Sequence, residues 1–469
     1  MNLHLALLLG YSVLLIGMGL WIGRRVKVTG DFFVAGRALG PGLLFCTMLA
    51  ANIGAGSTVG ATGIGYSRGL SAWWWVGSAG LGSLVLAFSV GPAIRRLAAE
   101  HDLQTVGDYL EWRYDRRVRG LVGVLLWVGT LAILAGQLIA LAWVLDAVAG
   151  IPKWIGCLIG GVVMTTYFAA GGLLSSAWVN TVQLAVLLLG LAIALPMVFS
   201  QAGGWAGLDA ALPACEGYRG FFSADGLQFA VFLVPAFIIS PGLLQKIYGA
   251  RDDRTVRLGV GLNALVLLLF AFVPASFGML ARALHPGLDN PELALPTLLT
   301  QNLPPLVGGV ALAAVFSAEV SSADAILFML ATSLSRDLYR RFVDPGASDA
   351  RVLRVARIAA GVGGAAGVAI AIVSPTVIGV LSIFYTLLSV SLFVPVVAGL
   401  YLRRVGTPEA LTAILGGVTL VVALHTATGG RGVGPLSPAM AGLLAAAIGC
   451  AAVAFVRARR GERREEGAR

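Results

Sequence analysis

The chain has 469 residues, 58% of them hydrophobic and 12% charged, with a mean hydropathy of +0.88. Soluble domains run near about 45–50% apolar and about 25% charged, so a soluble globular protein, a collagen and a disordered chain are all excluded. The composition predicts an all-α polytopic membrane protein, and the net charge of +10 then reports orientation in the membrane rather than a nucleic-acid partner.

The first apolar run, 3–23, has no Lys or Arg before it and Arg24, Arg25 and Lys27 directly after it. That is the reverse of a secretory signal, so the run is expected to be a retained helix with its N-terminus outside. The second run, 39–66, concentrates small and polar residues at its middle: Asn52, Gly54, Gly56, Ser57 and Thr58. Two readings stand. Gly56 and Gly60 form a helix-packing pair, or the helix breaks there, which at bilayer depth requires protein or a water-filled cavity beside the freed backbone. A third run covers 71–94. The polar stretch 100–118 that follows opens on Thr105-Val-Gly-Asp108, a capping-box pattern that predicts a cytoplasmic amphipathic helix.

Runs at 119–149, 152–172 and 177–200 lead to a seventh at 225–247, which carries Pro235 and then Ile239-Ser-Pro-Gly242. Proline removes a backbone donor, so this run too is expected to be kinked or broken. Two interrupted runs five helices apart are the sequence pointer to an inverted-repeat transporter with its site at the midplane. After a run at 257–281, the ninth, 304–335, holds Ser317-Ala-Glu-Val-Ser-Ser-Ala-Asp324. Ser321 and Ser322 either bond back to carbonyls one turn earlier or, with a freed carbonyl nearby, supply the hard oxygens that an alkali cation prefers. Glu319 and Asp324 are functional candidates as acids in or near the membrane. The alternative for Asp324 is an ion pair with the cytoplasmic arginines. Four more runs, 353–374, 376–402, 408–427 and 437–456, bring the expected total to thirteen.

An odd number of crossings that starts outside ends inside. On that trace 28 of the 33 Lys and Arg residues lie inside, leaving only Arg68, Lys153, Arg219, Arg282 and Arg431 outside. The basic tail is either solvated or in touch with anionic lipid heads. Cys46, Cys157, Cys215 and Cys450 have no metal-ligand spacing. No long polar segment offers room for a catalytic or signalling domain, and no His, Cys or paired-acid constellation suggests an enzyme.

Taken in order, these features resemble the sodium:solute symporter family over roughly residues 5–405. Asp31-Phe-Phe-Val-Ala-Gly-Arg37 is similar to the loop before that family's first core helix, and Ala50-Ala-Asn-Ile-Gly54 to the break within it. Thr166-Tyr-Phe-Ala-Ala-Gly-Gly-Leu173 followed by Trp178-Val-Asn-Thr-Val-Gln183 resembles the family signature, and Gln245–Asp252, Val320–Asp324 and Asp337-Leu-Tyr339 complete the set.

The resemblance implies a leucine-transporter-like fold, a 5+5 inverted-repeat core with one helix before it and two after. The expected division is 1–38 for the extra helix and its loop, 39–223 and 224–404 for the two halves, and 405–469 for the last two helices and the basic tail. It also implies a sodium site made of the carbonyls of Ala50, Ile53 and Ala318 and the hydroxyls of Ser321 and Ser322. Asn180 stands where the family has Asp, which removes the charge that a second sodium would favour and suggests one sodium per cycle. For the solute, Asn52, Ser57, Trp74, Gln137, Phe232 and Tyr385 are the expected cavity residues. Trp74 has the alternative of an interfacial belt, and Gln137 that of a helix-packing bond.

The expected activity is sodium-coupled import of a small organic solute, such as a monocarboxylate or an amino acid, by alternating access. The chain would be a monomer in the bacterial inner membrane, with lipid around it, sodium as its coupling ion, no other cofactor and no covalent chemistry. The alternatives are a solute-binding membrane sensor with little transport and a proton-coupled symporter.

Overall fold

The computed structural model describes residues 3–23, 37–169, 173–213 and 216–466. Among them there is no β-strand beyond isolated bridges. Ten helical stretches are long and apolar enough to cross a bilayer, and shorter apolar helices cover 3–14, 41–52 and 153–166, on the first, second and fifth expected runs.

The helices that matter for the site are α1 (Leu3–Gly23), α2 (Pro41–Asn52), α3 (Ala61–Arg68), α4 (Trp73–Val85), α5 (Gly91–Glu100) and α6 (Val106–Arg113). They continue as α7 (Arg116–Ala149), α8 (Lys153–Ala169), α9 (Leu173–Gln201), α10 (Ala224–Ile239), α11 (Pro241–Tyr248), α12 (Asp253–Phe270) and α13 (Phe272–Leu284). The last six are α14 (Pro305–Thr332), α15 (Asp349–Val373), α16 (Val377–Leu388), α17 (Val394–Tyr401), α18 (Thr407–Thr428) and α19 (Pro438–Glu466).

Local chemistry sets their ends. Proline, which needs no hydrogen-bond acceptor at a first helical position, opens α2, α11, α14 and α19. Asp252 and Thr376 cap α12 and α16 by accepting from the backbone N–H of Thr255 and Gly379. Gly150 and Gly429 end α7 and α18 in the left-handed conformation, at φ 63° and 60°, where a side chain would be strained.

The expected capping box is present at the start of α6. The Thr105 hydroxyl accepts from Asp108 N at 3.0 Å and the Asp108 carboxylate accepts from Thr105 N at 3.0 Å. Beyond it the helix is anchored at both ends. Arg119 bonds Asp108, Glu111 and Asp337, and Arg113 donates to Gly399 O and Leu402 O. This helix thus joins the end of the Ser317–Asp324 helix to the end of α17.

Helix α14 runs through the middle of the molecule, buried along most of its length, and packs on α1, α2, α7, α9 and α15. Around it, α4 packs on α10 and α12, α7 on α16, and α18 on α19. Both expected interruptions are present. α2 stops at Asn52 and Ile53 turns extended, at φ −101° and ψ 102°, before a π-helical turn, Gly56–Gly60, resumes the path into α3. The seventh run parts at Ser240, between α10 and α11, whereas Pro235 stays inside α10 without ending it.

Candidate functional site

A helix break frees backbone groups that must find partners inside the protein. Around Asn52–Ala55 some are met by backbone, as Gly54 O is by Ser57 N and Thr58 N, and others by side chains. Ser57 Oγ donates to Asn52 O at 2.8 Å and Thr58 Oγ1 reaches Gly54 O at 3.0 Å. Ala55 N donates to the amide oxygen of Gln137 on α7 at 2.9 Å. From α14, Ser321 Oγ lies 3.1 Å from Ala50 O, and Ser322 Oγ lies 3.4 Å from Ala50 O and 3.1 Å from Ile53 O. Glu319 accepts from Thr58 Oγ1 at 2.7 Å. One stretch of α14 therefore holds both sides of the break.

The closeness depends on Gly54. A Cβ there would overlap Ser322 Oγ and come within 2.8 Å of the Gln137 amide oxygen. Ala50, Ile53, Ser321 and Ser322 are buried, and each of the two carbonyl oxygens meets at least one of the two hydroxyls. Ala318 lies one turn earlier than Ser321 and Ser322 on α14, on the same side of the helix. The separations of 3.1 to 3.4 Å are those of hydrogen bonds that the two hydroxyls donate to the carbonyls.

Beside the break lies a small cavity of about 40 Å³, lined by Asn52, Gly56, Ser57, Trp75, Gln137 and Tyr385 among others. Four of the six expected solute residues are thus together. Its walls carry no charged side chain. Because the Gln137 amide oxygen is engaged by Ala55 N, the geometry fixes the amide orientation and leaves its NH2 as a donor. Asn52 is held from α12, its Nδ2 donating to Asn263 Oδ1 at 3.1 Å.

Trp74 and Phe232 do not line this cavity. Trp74 points the other way, donating through Nε1 to Phe221 O at 2.9 Å and stacking against Phe221 and Phe222. Its neighbour Trp75 takes the cavity position instead. The run Trp73-Trp74-Trp75 does not set its own phase, and one residue is about 100° of helix rotation. No sequence signal separates them, since the residue one turn after each tryptophan is small: Gly77, Ser78 and Ala79. Phe232 belongs with Phe229 to the lining of a second, wider cavity of about 920 Å³ between α3, α10, α16 and α18. Trp75 meets Phe229, Phe232 and Tyr385 at centroid separations of 5.1, 6.3 and 6.1 Å. An aromatic layer therefore separates the two cavities.

The wider cavity has its own fixed point. Glu292 accepts from Val377 N at 2.7 Å and Ile378 N at 3.4 Å with one oxygen, and from Trp143 Nε1 at 3.0 Å with the other. Burial raises this carboxyl above its ordinary range, while the bonds from Trp143, Ile378 and Val377 pull it back. Asp324 is buried and sits near enough to the buried Lys246 of α11 to act on its charge. A lysine from the second broken helix is therefore a neighbour of Asp324, in addition to any cytoplasmic arginine. The side chain of Asn180 and the stretch Asp31–Gly36 lie outside the described residues.

A family model described as the sodium:solute symporter family matches residues 32–417. The sodium/pantothenate symporter of Escherichia coli is 30% identical over 442 residues, covering 89% of this chain and 90% of that protein. The sodium/glucose cotransporter of Vibrio parahaemolyticus is 26% identical, with 75% and 71% covered. Among solved structures, a substrate-bound, outward-open sodium-coupled sialic acid symporter superposes with a TM-score of 0.81 at 18% identity, covering 97% of this chain and 98% of the other. The chain belongs to the sodium:solute symporter family.

Proposed function

We propose that the protein imports a small organic solute by sodium-coupled symport, with the ion seated among the carbonyls of Ala50, Ile53 and Ala318 and the hydroxyls of Ser321 and Ser322. The observation that carries this reading is the reach of Ser321 and Ser322 across the break to Ala50 O and Ile53 O. Hard, buried oxygens from two helices with no bulky side chain between them suit a dehydrated alkali ion. Binding there ties α2 to α14, and an ion that prefers one arrangement of those helices shifts the protein toward it.

The solute site is the small cavity, with Asn52, Ser57, Trp75, Gln137 and Tyr385 as its polar and aromatic contacts. Trp75, Gln137 and Tyr385 bring hydrogen donors, and no lysine or arginine lines the wall. That set favours a solute with a single carboxylate, a monocarboxylate or a zwitterion such as an amino acid, over a multivalent anion. The pantothenate carried by the Escherichia coli relative is a member of that monocarboxylate class. Phe232 contributes to the layer above the cavity.

In the same reading the chain makes thirteen crossings, with the two breaks at equivalent places in a 5+5 inverted repeat, and lies in the bacterial inner membrane with its N-terminus outside. The test of the ion site is thermal unfolding of the purified protein in sodium, potassium and choline salts. Sodium alone is expected to raise the midpoint, and the Ser321→Ala/Ser322→Ala double variant is expected to fold but lose that increase. A full sodium increase in the double variant would remove the assignment.

A further inference from the structure

Glu319 is fully buried in α14, and one of its carboxyl oxygens has no hydrogen-bond partner among the described residues. The other oxygen accepts from Thr58 Oγ1 at 2.7 Å. An apolar residue would fill this place with no buried polar oxygen left over, so the carboxyl is an expensive way to pack a helix. What the bond joins suggests why it is there. Thr58 is itself buried and lies in the π-helical turn Gly56–Gly60, on the far side of the break from Ala50 and Ile53. Gly56 and Ser57 of that turn line the small cavity. Two and three residues after Glu319, Ser321 and Ser322 hold the near side through Ala50 O and Ile53 O. Glu319 and Ser322, three residues apart on one helix, share a face. The same turn of α14 thus grips the first half of the broken helix with hydroxyls and the second half with a carboxyl.

We propose that Glu319 is a coupling residue: it fixes the second half of the broken helix to α14 so that ion loading at the first half sets the position of Gly56 and Ser57 in the solute cavity. Without the Glu319–Thr58 bond the ion would still join α2 to α14, but the cavity wall would no longer follow. This inference rests on the sodium reading above. Glu319 acts as a positioning residue, through Thr58, and touches neither the solute nor the ion in this account.

The test uses the full chain with its four native cysteines replaced and one new cysteine introduced by Ala79→Cys, a position on α4 that lines the cavity. The probe is sodium alone, with two readouts: the thermal midpoint, which reports ion loading, and the rate of maleimide labelling, which reports the cavity. In the Glu319 parent, replacing choline by sodium is expected to raise the midpoint and change the labelling rate about fivefold or more. In Glu319→Ala the sodium increase in midpoint should persist while labelling becomes indifferent to sodium. Glu319→Gln, which keeps an oxygen for Thr58, should restore the sodium-dependent labelling. Thr58→Val, which removes the hydroxyl from the other side of the bond, should reproduce the uncoupling, and Thr58→Ser should not. Sodium-dependent labelling that survives in either Glu319→Ala or Thr58→Val would overturn the inference, as would a Glu319→Gln variant as uncoupled as the alanine. If sodium moved neither readout in the parent, the ion assignment itself would fall and this inference with it.

Discussion

At the residue scale the break is held by a set of hydrogen bonds, and each bond gives a different variant its expected effect. Gln137→Leu leaves Ala55 N–H buried without an acceptor, a cost of about 1–3 kcal/mol. It also removes the amide donors from the cavity wall, so solute uptake should fall further than the sodium-induced rise in melting midpoint does. Gly54→Ala pushes a methyl group into Ser322 Oγ and should abolish the sodium effect while leaving the protein folded. A normal sodium increase in that variant would show that the junction tolerates a wider gap than its oxygens suggest. Trp75→Leu should raise the KM for solute several-fold, whereas Trp74→Leu, about 100° round the helix and packed on Phe221 and Phe222, should leave KM near that of the parent. Equal effects would mean that the aromatic belt and the cavity act as one unit. Composition made Asn52, Ser57 and Gln137 visible, because polar side chains stand out in an apolar run. The phase of three consecutive tryptophans, by contrast, is fixed only by what packs on each: Phe221 and Phe222 on Trp74, Phe229 and Tyr385 on Trp75.

At the scale of elements, the sequence pointed to two interrupted runs but left a helix-packing reading open at the first and a kink or a break open at the second. At the first, Gly54 and its neighbours let α2 end and restart. At the second, the interruption falls at Ser240-Pro241, where the chain loses a donor and turns, and Pro235, the other candidate, is absorbed in a continuous helix. Composition cannot distinguish those two prolines, since the deciding factor is whether neighbouring helices cover the carbonyl each one frees. The residue that ties down the start of α16 was not visible in the sequence at all. Glu292 sits in a short 3₁₀ turn between α13 and α14 and becomes informative only when Val377, Ile378 and Trp143 surround it. Its negative charge complements the positive end of the helix. Glu292→Ala should lower the melting midpoint by an amount corresponding to about 1.5–3 kcal/mol. An unchanged midpoint would mean that water from the wider cavity replaces the carboxylate.

For the whole molecule, the proposed orientation rests on the charge asymmetry of the loops, and fusions test it directly. A reporter placed after Arg404 and one at the C-terminus should both give cytoplasmic signals, and a periplasmic signal from either would mean a miscounted crossing. Function at this scale was legible in the order of motifs along the chain, because the break, the paired serines and the Asp-Leu-Tyr stretch follow one another as in the family that the chain resembles, whose model matches residues 32–417. The solute was not, because cavity shape depends on which faces of α4, α7, α10 and α16 meet. The most direct test of the account is uptake in proteoliposomes, with labelled monocarboxylates and amino acids supplied outside and membrane current recorded. The account predicts saturable uptake that needs an inward sodium gradient, carries one net positive charge for a zwitterion and none for a monocarboxylate, and disappears in Ser321→Ala/Ser322→Ala. Uptake that proceeds in sodium-free buffer on a proton gradient and is untouched by that double replacement would contradict it.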